Sequence, residues 1–175
     1  DFGKAVRLFT KSAEQGNTMG QYNLGMIYHE GKGVEQDSKE AVKWFRKAAQ
    51  SGLALAQRNL GVMCRDGNSK EVKQDFEDAL KWFHKAAEQG NALGQYDLGA
   101  MYAEGKGVEQ DSKQAMRWFR KAADQGLANA QYNLGVSYAK GQGVEQDDKE
   151  AVKWFRKAAD QGLANAQHDL GVMYV

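Results

Sequence analysis

The chain has 175 residues, 42% of them hydrophobic, which suits one domain and is too apolar for a disordered chain. Its 24 Lys and Arg face 23 Asp and Glu, and a formal charge of +1 gives a polyanion no footprint, so nucleic acid is not an expected partner. No apolar run nears 18 residues, so no membrane insertion is expected, and one cysteine excludes an internal disulfide framework.

The chain opens in a helical pattern, with Ala5, Leu8, Phe9 and Ala13 on one face and Gly16 as a left-handed stop. A second helix follows, marked by the pair Leu24-Gly25. That pair recurs at Leu60-Gly61, Leu98-Gly99, Leu134-Gly135 and Leu170-Gly171, at steps of 36, 38, 36 and 36. A turn comes next, Gly31-Lys32-Gly33-Val34, with glycines at angles other residues resist. Then Asp37 and Glu40 form an acidic version of the capping box and start a helix through Trp44. Asp111/Gln114 and Asp147/Glu150 repeat that start, and Trp82, Trp118 and Trp154 repeat the tryptophan. The last copy, Ala151-x-x-Trp154-Phe155-x-x-Ala158-Ala159, is apolar on a single helical face. Gly52, Gly90, Gly126 and Gly162 close these helices. The two extra residues of the 38-residue step fall between Gly67 and Val72, which enclose Asn68-Ser69-Lys70-Glu71.

Self-similarity at such a period marks an all-α solenoid of antiparallel helix pairs, about 36 residues per repeat. A mid-helix glycine costs roughly 0.8–1 kcal/mol against alanine, so its recurrence beside each leucine predicts close approach of the Trp-bearing helix. The motifs Ala-x-Ala-Gln-Tyr-Asn-Leu-Gly-x-x-Tyr, Gly-x-Gly-Val-x-x-Asp and Ala-x-x-Trp-Phe-x-Lys-Ala-Ala resemble the Sel-one-like repeat family, relatives of tetratricopeptide repeats. The resemblance covers essentially the whole chain. It departs at Cys64, which stands where other repeats have Tyr, and in the loop that follows. It implies a right-handed α-α superhelix over residues 1–175, with four full helix pairs and a half pair at each end. Neither end carries the polar outer face of a terminal repeat, which reads as a fragment of a longer array.

No catalytic chemistry is expected of these motifs. The Gly-x-Gly turns follow helices and lack a third glycine, so they are not dinucleotide loops. His29, His84 and His168 fall in different repeats without a ligand partner four residues on, and no metal or cofactor is expected. Cys64 reads as a buried small hydrophobe. The aspartates recurring at helix starts are caps rather than an acid/base pair. Gln21, Gln57, Gln95, Gln131 and Gln167 hold one register beside the core, where buried amides need partners.

By the resemblance, the Leu-Gly helices line the concave surface. Their positions facing away from the core give a candidate partner-binding set: Tyr22, Met26, Arg58, Val62, Tyr96, Tyr132, Val136 and His168. Tyrosines beside an aliphatic row are the composition interfaces favour. The competing reading is that they fill gaps between repeats. The expectation takes the tyrosines as separate from the Leu–Tyr–Trp core. The function expected is a non-catalytic scaffold or adaptor binding a peptide or protein. Alternatives are a structural array that self-associates end to end, or a regulatory module of a larger protein. The near-identity of the last repeats leans bacterial.

Overall fold

The computed structural model describes residues 2–67 and 72–175, which contain ten helices and no strand element. Residues 68–71, the extra length of the second turn, lie outside the described residues. The chain forms two compact units, Asp1–Gln89 and Gly90–Val175. The first holds α1 (Phe2–Glu14), α2 (Thr18–Glu30), α3 (Ser38–Gln50), α4 (Ala54–Asp66) and α5 (Phe76–Glu88). The second holds α6 (Ala92–Glu104), α7 (Ser112–Asp124), α8 (Ala128–Lys140), α9 (Asp148–Asp160) and α10 (Ala164–Val172). Within each unit every helix packs on the next in the chain. Odd-numbered helices from α3 onward carry the Trp-Phe pair, and even-numbered helices carry Leu-Gly.

The helix starts are where the aspartates put them. Asp37 Oδ1 accepts from the N–H groups of Lys39 and Glu40 at 2.9 and 3.0 Å, and Asp111 and Asp147 do the same. The reciprocal half of the capping box is not made. Glu40 and Glu150 instead accept from the indole Nε1 of Trp44 and Trp154, each at 3.0 Å. The N–H groups of Asp37 and Asp147 are already taken by the carbonyls of Tyr28 and Tyr138, which leaves the glutamates free to anchor the tryptophans. Even-numbered helices α2, α4, α6 and α8 end on Gly31, Gly67, Gly105 and Gly141 at φ between +59° and +68°, a left-handed cap glycine adopts without strain.

The mid-helix glycines have a steric cause. A Cβ at Gly25, Gly61, Gly99 or Gly135 would stand 2.5–2.8 Å from ring carbons of Phe45, Phe83, Phe119 or Phe155. The collision is with the Phe beside each Trp, and the glycine lets that ring lie against the Leu-Gly helix. The adjoining Leu24, Leu60, Leu98 and Leu134 are fully buried, as are Ala41, Ala79 and Ala151 on the facing helices. Trp44, Trp82 and Trp154 are buried, whereas Trp118 is half-buried.

The register glutamines form a ladder that the sequence predicts only in half. Gln57 and Gln131 donate to the carbonyls of Ala49 and Ala123, as expected of a buried amide. Their Oε1 atoms also accept from Gln89 and Gln161, which close the next odd-numbered helix, at 2.7 and 2.8 Å. Gln95 accepts from Gln125 in the same way. At the corresponding place for Gln21 the chain has Ser51, too short to reach, and Gln21 Oε1 is buried without a partner.

Cys64 is buried, 6% exposed, and its Sγ–H points at Asp78 Oδ2, 3.6 Å away. In the second unit the same place is Tyr138, whose hydroxyl accepts from Arg120. A cysteine cannot reach that far, so its arginine, Arg46, turns to Asp78 at 3.3 Å instead. Burial first, and then the Asp78 carboxylate, push the thiol up to about 12. At physiological pH it is an inert thiol.

Candidate functional site

The candidate residues lie on the sides of the even-numbered helices that flank the Phe rings. In the first unit, Tyr22 and Met26 are on α2, and Arg58 and Val62 are on α4; all four are half-buried. Asn59 Nδ2 reaches Tyr22 Oη at 3.5 Å and Met26 Sδ at 3.3 Å, linking one repeat to the next. The Tyr22 ring lies 5.9 Å from that of Phe45. Arg58 is engaged within the protein and is not a free charge offered to a partner.

In the second unit, Tyr96 on α6 and Tyr132 and Val136 on α8 are half-buried, while His168 on α10 is exposed. The Tyr96 ring lies 5.7 Å from Phe119 and the Tyr132 ring 5.7 Å from Phe155, each pair tilted at 42°. Tyr132 donates to Asp169 Oδ2 at 3.0 Å, and His168 Nδ1 sits 2.9 Å from Asp169 Oδ1. His168 first, with Tyr132 adding, holds the Asp169 carboxyl below its ordinary range, while burial and then Asp169 raise the Tyr132 hydroxyl.

These contacts correct the expectation that the tyrosines stand apart from the core. The glycine admits the Phe ring between helices, the ring continues past it, and the tyrosine lies on its far side. Tyr96 accordingly packs against the cluster built on Phe119, Leu134 and Trp154. The tyrosines therefore join neighbouring repeats as well as bordering the surface.

Two clefts open between the even-numbered helices of the second unit. The first, about 260 Å³, has Tyr96, Ala100 and Ala103 on one wall and Asn133, Val136 and Ser137 on the other, over Phe119. The second, about 140 Å³, stands one repeat on. There Val136, Ala139 and Lys140 face Asp169, Val172 and Met173 over Phe155. Val136 belongs to both. Small-molecule sites usually run from roughly 300 Å³ upward, so each cleft is scaled to a side chain rather than a cofactor. The floor is constant and the walls change: Ala100 becomes Val136, Ser137 becomes Met173, and the rim acid Glu104 becomes Lys140. Glu104 is paired with Lys106 at 2.6 Å.

The sequence reasoning did not single out Asn59, Asn133 or Asp169, which precede the Leu-Gly pair and occupy the junction between repeats. The signal was present, since Asn or Asp holds that place in all five copies. Among the described residues no three metal-ligating side chains converge, and no helix is long and apolar enough to cross a membrane. His84 is solvated and lies 3.2 Å from Glu88.

The Sel1 repeat matches at residues 1–17, 18–53, 54–91, 92–127 and 128–163. Among solved structures, a protective antigen of uropathogenic Escherichia coli, c5321, which displays an SLR fold, is 45% identical with a TM-score of 0.96. That likeness covers 99% of this chain but only 37% of that one. A Sel1 repeat protein from Oxalobacter formigenes is 36% identical over 99% of this chain and 70% of its own, with a TM-score of 0.90. The immunity protein Pa5087 from Pseudomonas aeruginosa is more distant, at 25% identity and a TM-score of 0.58 over 94% of this chain and 60% of its own. No curated protein matches the chain. The all-α helical-repeat class expected from the sequence is the class of these structures, and the bacterial leaning fits their sources. Proteins of this repeat are generally scaffolds for protein–protein interaction. With five matches over residues 1–163 and the Escherichia coli and Oxalobacter formigenes structures alike along nearly its whole length, the chain belongs to the Sel1 repeat family.

Proposed function

We propose that the protein is a non-catalytic adaptor that holds a peptide or protein segment against its even-numbered helices. The observation that carries this reading is the pair of clefts in the second unit. They repeat in register over constant Phe floors, while their walls differ in size and charge. A scaffold that served only its own packing would have no need to vary there. In the first unit, Tyr22 and Met26 on α2 and Val62 on α4 hold the corresponding register positions, Tyr22 against the Phe45 ring, and belong to the same proposal. Side-chain-sized clefts spaced along helices suit a segment that inserts one anchor per cleft, the arrangement in which a few residues dominate affinity.

Val136 is the informative residue because it walls both clefts without stacking on a core ring. Peptides selected from a displayed random library against the whole chain supply the ligand, and calorimetric titration supplies the affinity. Val136→Arg is expected to weaken the selected peptides by roughly tenfold or more, about 1.4 kcal/mol, with the melting temperature nearly unchanged. Lys113→Ala and Lys149→Ala, on α7 and α9, are expected to leave affinity intact. Unchanged affinity in Val136→Arg would contradict the proposal.

A further inference from the structure

The residue that precedes the rim acid changes from helix to helix, and on two of them it is a basic side chain lying at the Phe floor. On α4 it is Arg65, whose guanidinium carbon stands 5.8 Å from the centre of the Phe83 ring. Asp66 beside it takes the guanidinium, with Nε donating at 2.6 Å and Nη2 at 3.3 Å. On α2 the pair is His29 and Glu30, and the His29 ring stands 6.4 Å from that of Phe45. On α6 the pair is Ala103 and Glu104. The acid and the Phe119 ring are kept, the basic side chain is gone, and the cleft of about 260 Å³ lies in its place. On α8 the pair is Ala139 and Lys140, so that rim has lost its acid as well.

The hydrogen bonding of the cleft over Phe119 agrees. Gln110 Nε2 donates to the carbonyl of Ala103 at 2.8 Å, which leaves Oε1 as its free end. Ser137 Oγ donates to the carbonyl of Asn133 at 2.9 Å, so its hydroxyl proton is spent too. What these two side chains and Glu104 still offer a ligand is lone pairs. Among the described residues no lysine, arginine or histidine lines the cleft. Glu104 pairs with Lys106 at 2.6 Å, but both side chains are about half exposed, and such a pair yields at little cost. Arginine is planar, always charged and donor-only, and it stacks on aromatic rings, whereas lysine is a point charge that cannot lie flat. We infer that this cleft takes an arginine side chain of the partner segment. Its guanidinium lies over Phe119 as that of Arg65 lies over Phe83, with its N–H groups on Glu104 and Gln110 Oε1. The inference rests on the adaptor reading for the source of that arginine, while the chemistry of the cleft is tested with a single residue.

The probe is N-acetyl-arginine amide, titrated into the millimolar range against the whole chain with isotope-labelled alanine and valine methyls. The Ala103 and Val136 methyl signals are expected to shift saturably. The neutral isostere, N-acetyl-citrulline amide, is expected to bind roughly tenfold more weakly or worse. N-acetyl-lysine amide should fall between the two, and Glu104→Gln should weaken arginine several-fold. Ala103→Arg rebuilds on α6 the arrangement that α4 already carries, so the fold has a precedent for it, and it is expected to abolish the Val136 shift. Circular dichroism confirms that each variant stays helical. Arginine binding no tighter than citrulline, arginine binding unchanged in Ala103→Arg, or no saturable shift at all would overturn the inference. The library-selected peptides judge the adaptor reading separately. Peptides that need Val136 but no arginine would uphold that reading and overturn this inference. Arginine filling the cleft with no peptide selected would uphold the chemistry of the cleft and overturn the adaptor reading.

Discussion

Gly135→Ala and Gly171→Ala change the same register position in opposite surroundings, and the difference between them isolates the packing that holds the repeat together. At Gly135 the new Cβ would stand 2.5 and 2.6 Å from Phe155 Cδ1 and Cε1, and 3.0 Å from Cγ. Ordinary carbon contacts begin near 3.5 Å, so the Phe155 ring must retreat by about 1 Å. It has nowhere to go, since Phe155 is 2% exposed and packed on its far side by Tyr132. Overpacking of this kind costs about 1–3 kcal/mol, and alanine returns roughly 0.8–1 kcal/mol of helix propensity. The net expectation is a loss of up to about 2 kcal/mol, or a few degrees in Tm for a chain of this size. At Gly171 there is no clash, and its place near the end of α10 limits the propensity gain, so the change is expected to be neutral or slightly stabilising. Thermal and urea unfolding followed at the helical ellipticity minimum gives both values. Equal effects at the two sites would refute the close-approach account of the Leu-Gly pair.

Ser51→Gln should give the buried Gln21 Oε1 the partner its counterparts have, raising stability by about 1 kcal/mol in urea unfolding. Tyr132→Phe removes only the hydroxyl bond to Asp169 and should cost about 1 kcal/mol, while Tyr132→Ala should cost more because the stack on Phe155 goes too. Asp169 is held below its ordinary range, so its contribution is present above about pH 4 and is lost as pH falls through the folded value; a pH series of melts on wild type and Asp169→Asn measures it. Cys64 runs the other way: its thiol is raised to about 12, so its contribution is full below the unfolded value near 8.5 and is lost as pH climbs toward 12. A thiol reagent at pH 8 should accordingly leave native Cys64 unmodified and label it promptly after denaturation.

The fold was legible because each element carries its own local cause. Aspartate caps, left-handed glycines and an apolar stripe containing Trp and Phe specify helix starts, stops and buried faces without distant information. The partners of polar side chains were less legible, because they depend on spacing across a repeat. Gln57 with Gln89, and Arg46 turning from the cysteine position to Asp78, join residues about one repeat apart whose meeting requires the stacked helices. The candidate surface was half legible. The sides of the helices on which Tyr96, Tyr132 and Val136 stand were legible. The depth of the tyrosines was not, because a periodic pattern says which side a residue faces but not how far a neighbouring ring extends. The Phe rings reach the tyrosines only because the glycines admit them.

The most direct test of the binding account is hydrogen exchange of the whole chain with and without a library-selected peptide. The account expects added protection on the even-numbered helices, concentrated in residues 96–104 and 133–140 of the second unit, with α7 and α9 unchanged along their solvent sides. Protection confined to those solvent sides of α7 and α9, with α6 and α8 unaffected, would contradict it.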